Sequence, residues 1–217
     1  MNQATKLSPL DGNESTLARL RECGRMFHRR GWSLGTSSNY SAVIGLNPLE
    51  LIVTASGKDK SRLGLGDFVR IGADGLPTVA GQPASSAETL LHVCLAKRGD
   101  VGAVLHTHSV WSTILSERFA TNGGIEISGY EMLKGLAGVK THEHRQWVPI
   151  FENTQDIPAL AREVESYLEK GGRMCHGYLI RRHGLYTWGH DLAEATRHVE
   201  IFEFLFECLG RDMQLGG

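Results

Sequence analysis

The chain has 217 residues, 41% hydrophobic and 22% charged, the profile of one soluble globular domain spanning 1–217 with enough apolar material for a substantial core. A formal net charge of -1 gives no electrostatic basis for a nucleic-acid or anionic-membrane partner, so an anionic ligand must be held by local groups. The four cysteines, Cys23, Cys94, Cys175 and Cys208, are far apart and form no CxxC pair, which suits buried thiols in a reducing cytoplasm and not a disulfide frame.

The opening stretch, Met1 to Asn13, is polar, so no secretory leader is expected, and no apolar run is long enough to cross a bilayer. Leu17, Leu20, Met26 and Phe27 recur at helical spacing, with Ser15 or Thr16 as the cap and Gly31 as the stop. Tyr40 to Ile44 and Leu49 to Thr54, split by Gly45-Leu46-Asn47-Pro48, predict an antiparallel hairpin. Phe68 to Ile71 and the Thr78-Val79 segment, split by Ala73-Asp74-Gly75, predict another. A helix follows over Ser86 to Arg98, striped by Leu90, Leu91, Cys94 and Leu95, and the apolar run Val101 to Leu105 returns to strand. Then come a helix at Ser109 to Arg118, a strand at Trp147 to Phe151, a helix at Ile157 to Glu169 and a strand at Gly177 to Arg181. Leu192 to Leu209 closes the pattern as a long amphipathic helix carrying Val199, Phe202, Leu205, Phe206 and Leu209. Early hairpins with helices flanking the sheet fit either an α+β domain or a three-layer α/β/α domain with a mixed sheet.

The chemistry concentrates where the Val101 to Leu105 strand ends. Side chains alternate across a strand, so His106 and His108 point the same way, close enough for their imidazoles to share one cation. His183, following the Gly177 to Ile180 run, is the best-placed third ligand. Three protein nitrogens leave one coordination position free, the arrangement of a catalytic zinc. His28, His92, His190 and His198 are read as hydrogen-bonded or surface side chains. His142-Glu143-His144 has the same spacing as the strand pair but lies in a polar stretch, which suits a surface or substrate-edge role.

Three turns rich in small hydroxylated residues precede this strand: Gly35 to Asn39, Thr54 to Lys58, and Ala84 to Glu88. Each can offer hydroxyls and backbone N–H groups to an anion, and phosphate is the natural guest. Ser85 and Ser86 open a helix, where the macrodipole favours negative charge, and Lys58 can add a full positive charge. Two carboxylates stand out. Glu88 lies in the first turn of that helix, and Glu131, in Gly129-Tyr130-Glu131-Met132-Leu133-Lys134-Gly135, has apolar neighbours that would raise its pKa and suit proton transfer near neutrality.

Taken together, the HTHS strand end, the TASGKD and SSAET turns, the RRHGLYTWG segment and the closing helix resemble the class II aldolase/adducin family over nearly the whole chain. The EMLKG and VPIFENT segments are most similar to a branch of that family that removes water from a phosphorylated ketose in methionine salvage. The resemblance implies a three-layer α/β/α domain with a central mixed, largely antiparallel sheet flanked by helices. It further implies one zinc per subunit on His106, His108 and His183, and a cyclic homotetramer with sites near subunit interfaces. Asn39, Ser56, Gly57, Ser85 and Ser86 match the family's phosphate turns, with Lys58 as an addition, and Glu131 matches the branch's acid/base carboxylate. Glu88 falls where aldolase relatives carry a glutamate near the zinc and some dehydratase relatives carry a cysteine. A sugar-phosphate aldolase or 4-epimerase on the same scaffold is the enzymatic alternative, and a non-catalytic adducin-like assembly domain the structural one.

Overall fold

The computed structural model describes residues 10–170 and 175–216; the part of the polar opening stretch up to residue 9 lies outside them. Among the described residues, helix α1 (Glu14–Arg29) leads into strands β1 (Asn39–Leu46), β2 (Leu49–Thr54) and β3 (Phe68–Gly72). Helix α2 (Thr89–Ala96), strand β4 (Ala103–Thr107) and helix α3 (Val110–Arg118) follow. Strands β5 (Gly124–Ile127) and β6 (Gln146–Phe151), helix α4 (Ile157–Glu169), strands β7 (Gly177–Ile180) and β8 (Gly184–Gly189) and helix α5 (Leu192–Leu215) complete the chain.

The eight strands form one sheet in the order β3-β2-β1-β4-β8-β7-β6-β5. Every neighbouring pair is antiparallel except β6 with β7, so the sheet is mixed and largely antiparallel. Alternation along the strands sorts the core into two layers. Leu105 of β4 and Tyr40 of β1 pack with Leu20 and Phe27 of α1 and Val199 of α5, while Leu185 of β8 packs with Leu115 of α3 and Phe202 of α5. On the opposite face, Val104, Tyr178, Tyr186 and Trp188 pack with Leu91 of α2 and Val164 of α4. The three-layer arrangement follows, with α1, α3 and α5 on one side and α2 and α4 on the other. No helix among the described residues is long and apolar enough to cross a membrane.

Four local expectations change. Helix α1 begins at Glu14 behind Asn13, and Ser15 and Thr16 lie inside it. Helix α2 begins at Thr89 and not Ser86, because the Ser86 carbonyl accepts from the Thr89 backbone N–H and hydroxyl and its own hydroxyl accepts from the Glu88 N–H. The second hairpin reduces to β3 with a single bridge between Ile71 and Pro77, since proline cannot extend a ladder as a donor. Strands β5 and β8 are additions to the expected pattern. In β8 every residue from Gly184 to Gly189 is buried, so no polar alternation marks it.

Candidate metal centre and active site

Strand register builds the centre. Asn39 of β1 lies opposite His106 of β4, His106 opposite Tyr186 of β8, and Tyr186 opposite Tyr178 of β7, a row across four adjacent strands on the α2/α4 face. The His106 ring stacks on Tyr186 at 3.9 Å between centroids, and Tyr186 stacks on Tyr178 at 5.0 Å. His108 lies just past β4, two residues on, with its backbone N–H held by the Trp32 carbonyl at 2.7 Å.

His183 arrives from the three-residue turn between β7 and β8. Arg182 in that turn takes a left-handed conformation, φ 54°, which its N–H bond to Ser116 Oγ and its guanidinium contact with Glu117 hold in place. The His183 carbonyl accepts from the Thr113 hydroxyl at 3.1 Å. Gly184 lets β8 come this close: a Cβ there would lie 2.1 Å from the Thr107 carbonyl oxygen and 3.3 Å from His106 Cε1.

The three imidazoles converge through Nε2. His106 Nε2 is 2.7 Å from His108 Nε2 and 3.3 Å from His183 Nε2. The Leu185 carbonyl, only an acceptor, lies 2.9 Å from His106 Nδ1, so that nitrogen carries the proton and Nε2 presents a lone pair to the centre. Burial holds His106 well below the usual histidine pKa, and burial with the neighbouring His183 and Lys60 pushes His108 down to about 4. The His106 lone pair thus faces the ring nitrogens of His108 and His183, where one cation could take all three as ligands. The three ligand atoms lie within 4.8 Å of one another, the only such group of three or more among the described residues, and the donor set fits a metal ion.

The hydroxylated turns meet beside this triad. Ala55 bridges to Ser85 and the Ser56 N–H bonds the Ala84 carbonyl at 3.0 Å, joining the second turn to the third. Gly57 adopts φ +67° with open space where a Cβ would be. Asn39, ending the first turn, donates to Ser86 Oγ at 3.2 Å. The Glu88 carboxylate, one residue before α2, faces the triad: Oε1 lies 3.2 Å from His183 Nε2 and Oε2 lies 3.6 Å from His106 Nε2. Lys58 is engaged with Asp67 at 2.9 Å. Lys60 is the buried cation, 1% exposed, its Nζ donating to the carbonyls of Thr36 and Lys58 and so linking the first and second turns. Burial pushes its pKa down to about 8.

Glu131 lies elsewhere in the single chain. It opens a 3-10 turn, Glu131–Gly135, with its carboxylate largely exposed, 2.5 Å from Lys134 Nζ and 3.8 Å from His142 Nδ1. The expected upward pKa shift does not occur. The hydrogen bond from Lys134 outweighs the small desolvation and holds the carboxylate below its ordinary value. No hydrogen bond or ion pair joins it to the triad, and the His142–His144 segment likewise contributes no ligand there.

The Class II Aldolase and Adducin N-terminal domain model matches residues 18–209. The chain belongs to the class II aldolase/adducin family. Within it, the chain is 49% identical over 188 residues to a methylthioribulose-1-phosphate dehydratase from Marinobacter nauticus, covering 86% of this chain and 88% of the relative. A second relative of that name, from Pseudomonas fluorescens, is 49% identical over 196 residues, 90% of this chain and 92% of its own. Among solved structures, L-fuculose-1-phosphate aldolase from Thermus thermophilus superposes with a TM-score of 0.73 at 20% identity, covering 94% of this chain and 98% of that one, which establishes the class II aldolase fold.

In this family member several residues around the triad escape a reading by motif. Tyr186 is invisible without β8; its buried hydroxyl lies toward Glu88 without completing a hydrogen bond, and burial holds the phenol well above its ordinary pKa. Lys60 sits two residues beyond the lysine that the turn pattern selects. Glu203 of α5 lies behind β4, accepting from Thr107 Oγ1 at 3.0 Å, and burial raises its carboxyl to about 7. A lone glutamate between Phe202 and Phe204 is the available signal.

Proposed function

We propose that this chain dehydrates 5-methylthioribulose 1-phosphate to 5-methylthio-2,3-dioxopentyl 1-phosphate, a hydro-lyase step of methionine salvage in the cytoplasm. The observation that carries this reading is the 49% identity with a methylthioribulose-1-phosphate dehydratase, in a chain that assembles His106, His108 and His183. We assign one zinc ion per subunit to the triad, a donor set that iron, cobalt or nickel would also accept. When bound, the metal supplies Lewis-acid polarisation of the ketose oxygens.

The protein's own groups do the rest. Leu185 fixes the His106 tautomer, so the lone pair is directed inward before any ligand arrives. The substrate phosphate is assigned to the joined turns of Ser56–Gly57 and Ser85–Ser86, with Lys58 at their edge and the Lys60 charge behind them, while Asn39 holds the Ser86 hydroxyl from the side. Held there, the phosphate orients the reacting carbons. Glu131 is assigned the proton transfer, and its bond to Lys134 favours the ionised form that accepts a proton. It takes the C3 proton and returns it to the C4 hydroxyl as water leaves. The resulting enol then ketonises to the dione. Glu131 stands on the surface beside the exposed apolar side chains of Met132 and Phe204, so we assign a homotetramer in which Glu131 of one chain serves the triad of its neighbour.

One observation favours a second reading, sugar-phosphate aldolase or 4-epimerase: the Glu88 carboxylate faces His106 and His183, as a proton-transfer group for C3–C4 cleavage would. A purely assembling, adducin-like role would have no use for three converging imidazoles. The readings separate when metal-analysed protein is incubated with methylthioribulose 1-phosphate, ribulose 1-phosphate and fuculose 1-phosphate. Dehydration of the first without carbon–carbon cleavage is expected; two carbonyl fragments from any ketose phosphate would replace this reading with the aldolase one.

A further inference from the structure

His92 is fully buried on α2, outside the triad, and both of its ring nitrogens are committed. Its Nε2 meets Asn39 Oδ1, and its Nδ1 lies 2.8 Å from Ser41 Oγ. Asn39 in turn places Nδ2 2.8 Å from Glu88 Oε2 and 3.2 Å from Ser86 Oγ. Two residues spaced i, i+4 at the start of α2, Glu88 and His92, thus clamp two residues spaced i, i+2 on β1, Asn39 and Ser41.

We propose that His92 is a positioning residue which, through Asn39, fixes the Glu88 carboxylate against the metal centre. The direction of the chain of hydrogen bonds follows from its two ends. Glu88 as a carboxylate can only accept, so Asn39 must turn its amide N–H toward it, which leaves Oδ1 facing His92. An amide oxygen also only accepts, so His92 carries its proton on Nε2 and accepts from the Ser41 hydroxyl at Nδ1. Burial keeps the ring neutral, its pKa pushed down to about 3, so this single-donor form holds at working pH.

The two orientations of the Asn39 amide are nearly identical in shape. Without a donor at the His92 position Asn39 Oδ1 is left buried with no partner and the amide is held by Glu88 and Ser86 alone, and a flipped amide would aim Oδ1 at the Glu88 carboxylate and push it away. Asn39 therefore commits its side chain to Glu88 and Ser86, and an anion on the joined turns is left with the Ser86 hydroxyl proton, since Ser86 Oγ accepts from Asn39 and from the Glu88 N–H.

The inference rests on the triad holding a metal and on Glu88 acting beside it, and a double-mutant cycle tests it without assuming which reaction follows. In the metal-loaded protein, His92→Leu should lower kcat about 10²-fold with KM little changed, the size of loss that a small misplacement beside the reacting atoms gives. The same change in a Glu88→Gln background should cost less than about 2-fold. His92→Gln, which restores an N–H at the Nε2 position, should recover most of the rate, and His92→Asn, which cannot reach that position, should not. Equal losses in the two backgrounds, or equal rates for the Gln and Asn variants at matched melting temperature, would overturn the proposal. The cobalt-substituted protein gives a readout independent of turnover. There, His92→Leu should shift the visible cobalt absorption as Glu88→Gln does, with no further shift in the double variant. An unchanged spectrum in His92→Leu would overturn the proposal even if the wild-type protein proved to be an aldolase, whereas the expected shift without dehydration would overturn only the reaction assigned above.

Discussion

The histidine centre and the Glu131 turn differ in almost every physical respect. The centre is buried at His106 and half-buried at His108 and His183, spans four strands and holds each imidazole residue through a backbone group: the Leu185 carbonyl for His106, the Trp32 carbonyl for the His108 backbone and the Thr113 hydroxyl for the His183 carbonyl. The Glu131 turn is a short 3-10 segment at the surface whose carboxylate is held by one exposed lysine. The triad that could hold a metal is thus assembled by the folding of the single chain. The proton transfer proposed for Glu131 would need a further surface to bring it to the substrate, and the proposed tetramer would supply one.

The largest expected effect lies in the buried half. His106→Ala or His108→Ala should reduce bound metal to a small fraction and activity to background while the circular dichroism spectrum keeps its shape, because the sheet persists without either imidazole. Full metal content in both variants would remove the triad from the account. Next comes the surface half: Glu131→Gln should retain metal and substrate binding yet lose about 10²–10⁴-fold in turnover, with parallel loss of C3 hydrogen exchange seen by NMR. Near wild-type turnover would move suspicion to Glu88.

How far each half is legible follows from the same contrast. The Val101 to Leu105 run announces a buried strand, and alternation then places His106 and His108 on one face. His183 is harder, because β8 is buried on both faces and shows no alternation, so the turn that carries His183 has no visible second strand. The three hydroxylated turns are evident as turns; that Ala55, Ser56 and Asn39 tie them into one place depends on the pairing of β1 with β4 and on a bridge far apart in sequence. Lys60 and Lys58 are indistinguishable by residue type, and only burial separates the clamped cation from the one paired with Asp67. At Glu131, apolar neighbours in sequence suggest desolvation. In space the side chain turns outward to Lys134, and the shift reverses sign.

Smaller effects sharpen the comparison. Lys60→Met should raise KM for the phosphorylated ketose roughly 10–100-fold, the worth of a charged hydrogen bond, with kcat nearly unchanged. The dephosphorylated ketose, already a poor substrate, should be affected far less, and equal losses for both would show that Lys60 only supports the fold. The smallest effect concerns stability behind β4. The Glu203 carboxyl is raised from 4.5 to about 7 by burial, so between those values the unfolded chain ionises this group while the folded chain keeps it protonated. Stability contributed by the neutral form is therefore present at low pH and lost as pH rises toward 7, by roughly 3 kcal/mol at most. Glu203→Gln should flatten that part of the melting-temperature profile; an unchanged slope from about pH 5 to 8 would mean that Glu203 is ionised in the folded protein.

The division of labour between the two halves is tested most directly by mixing subunits. His106→Ala and Glu131→Gln proteins, each inactive alone, are combined in equal amounts under conditions of subunit exchange and assayed with methylthioribulose 1-phosphate. A site takes a sound triad from half the chains and a sound Glu131 from half of their neighbours, so recovery should approach about a quarter of wild-type activity. Mixed oligomers that form but stay at the background of the parent variants would contradict the account, because Glu131 would then serve no neighbouring triad.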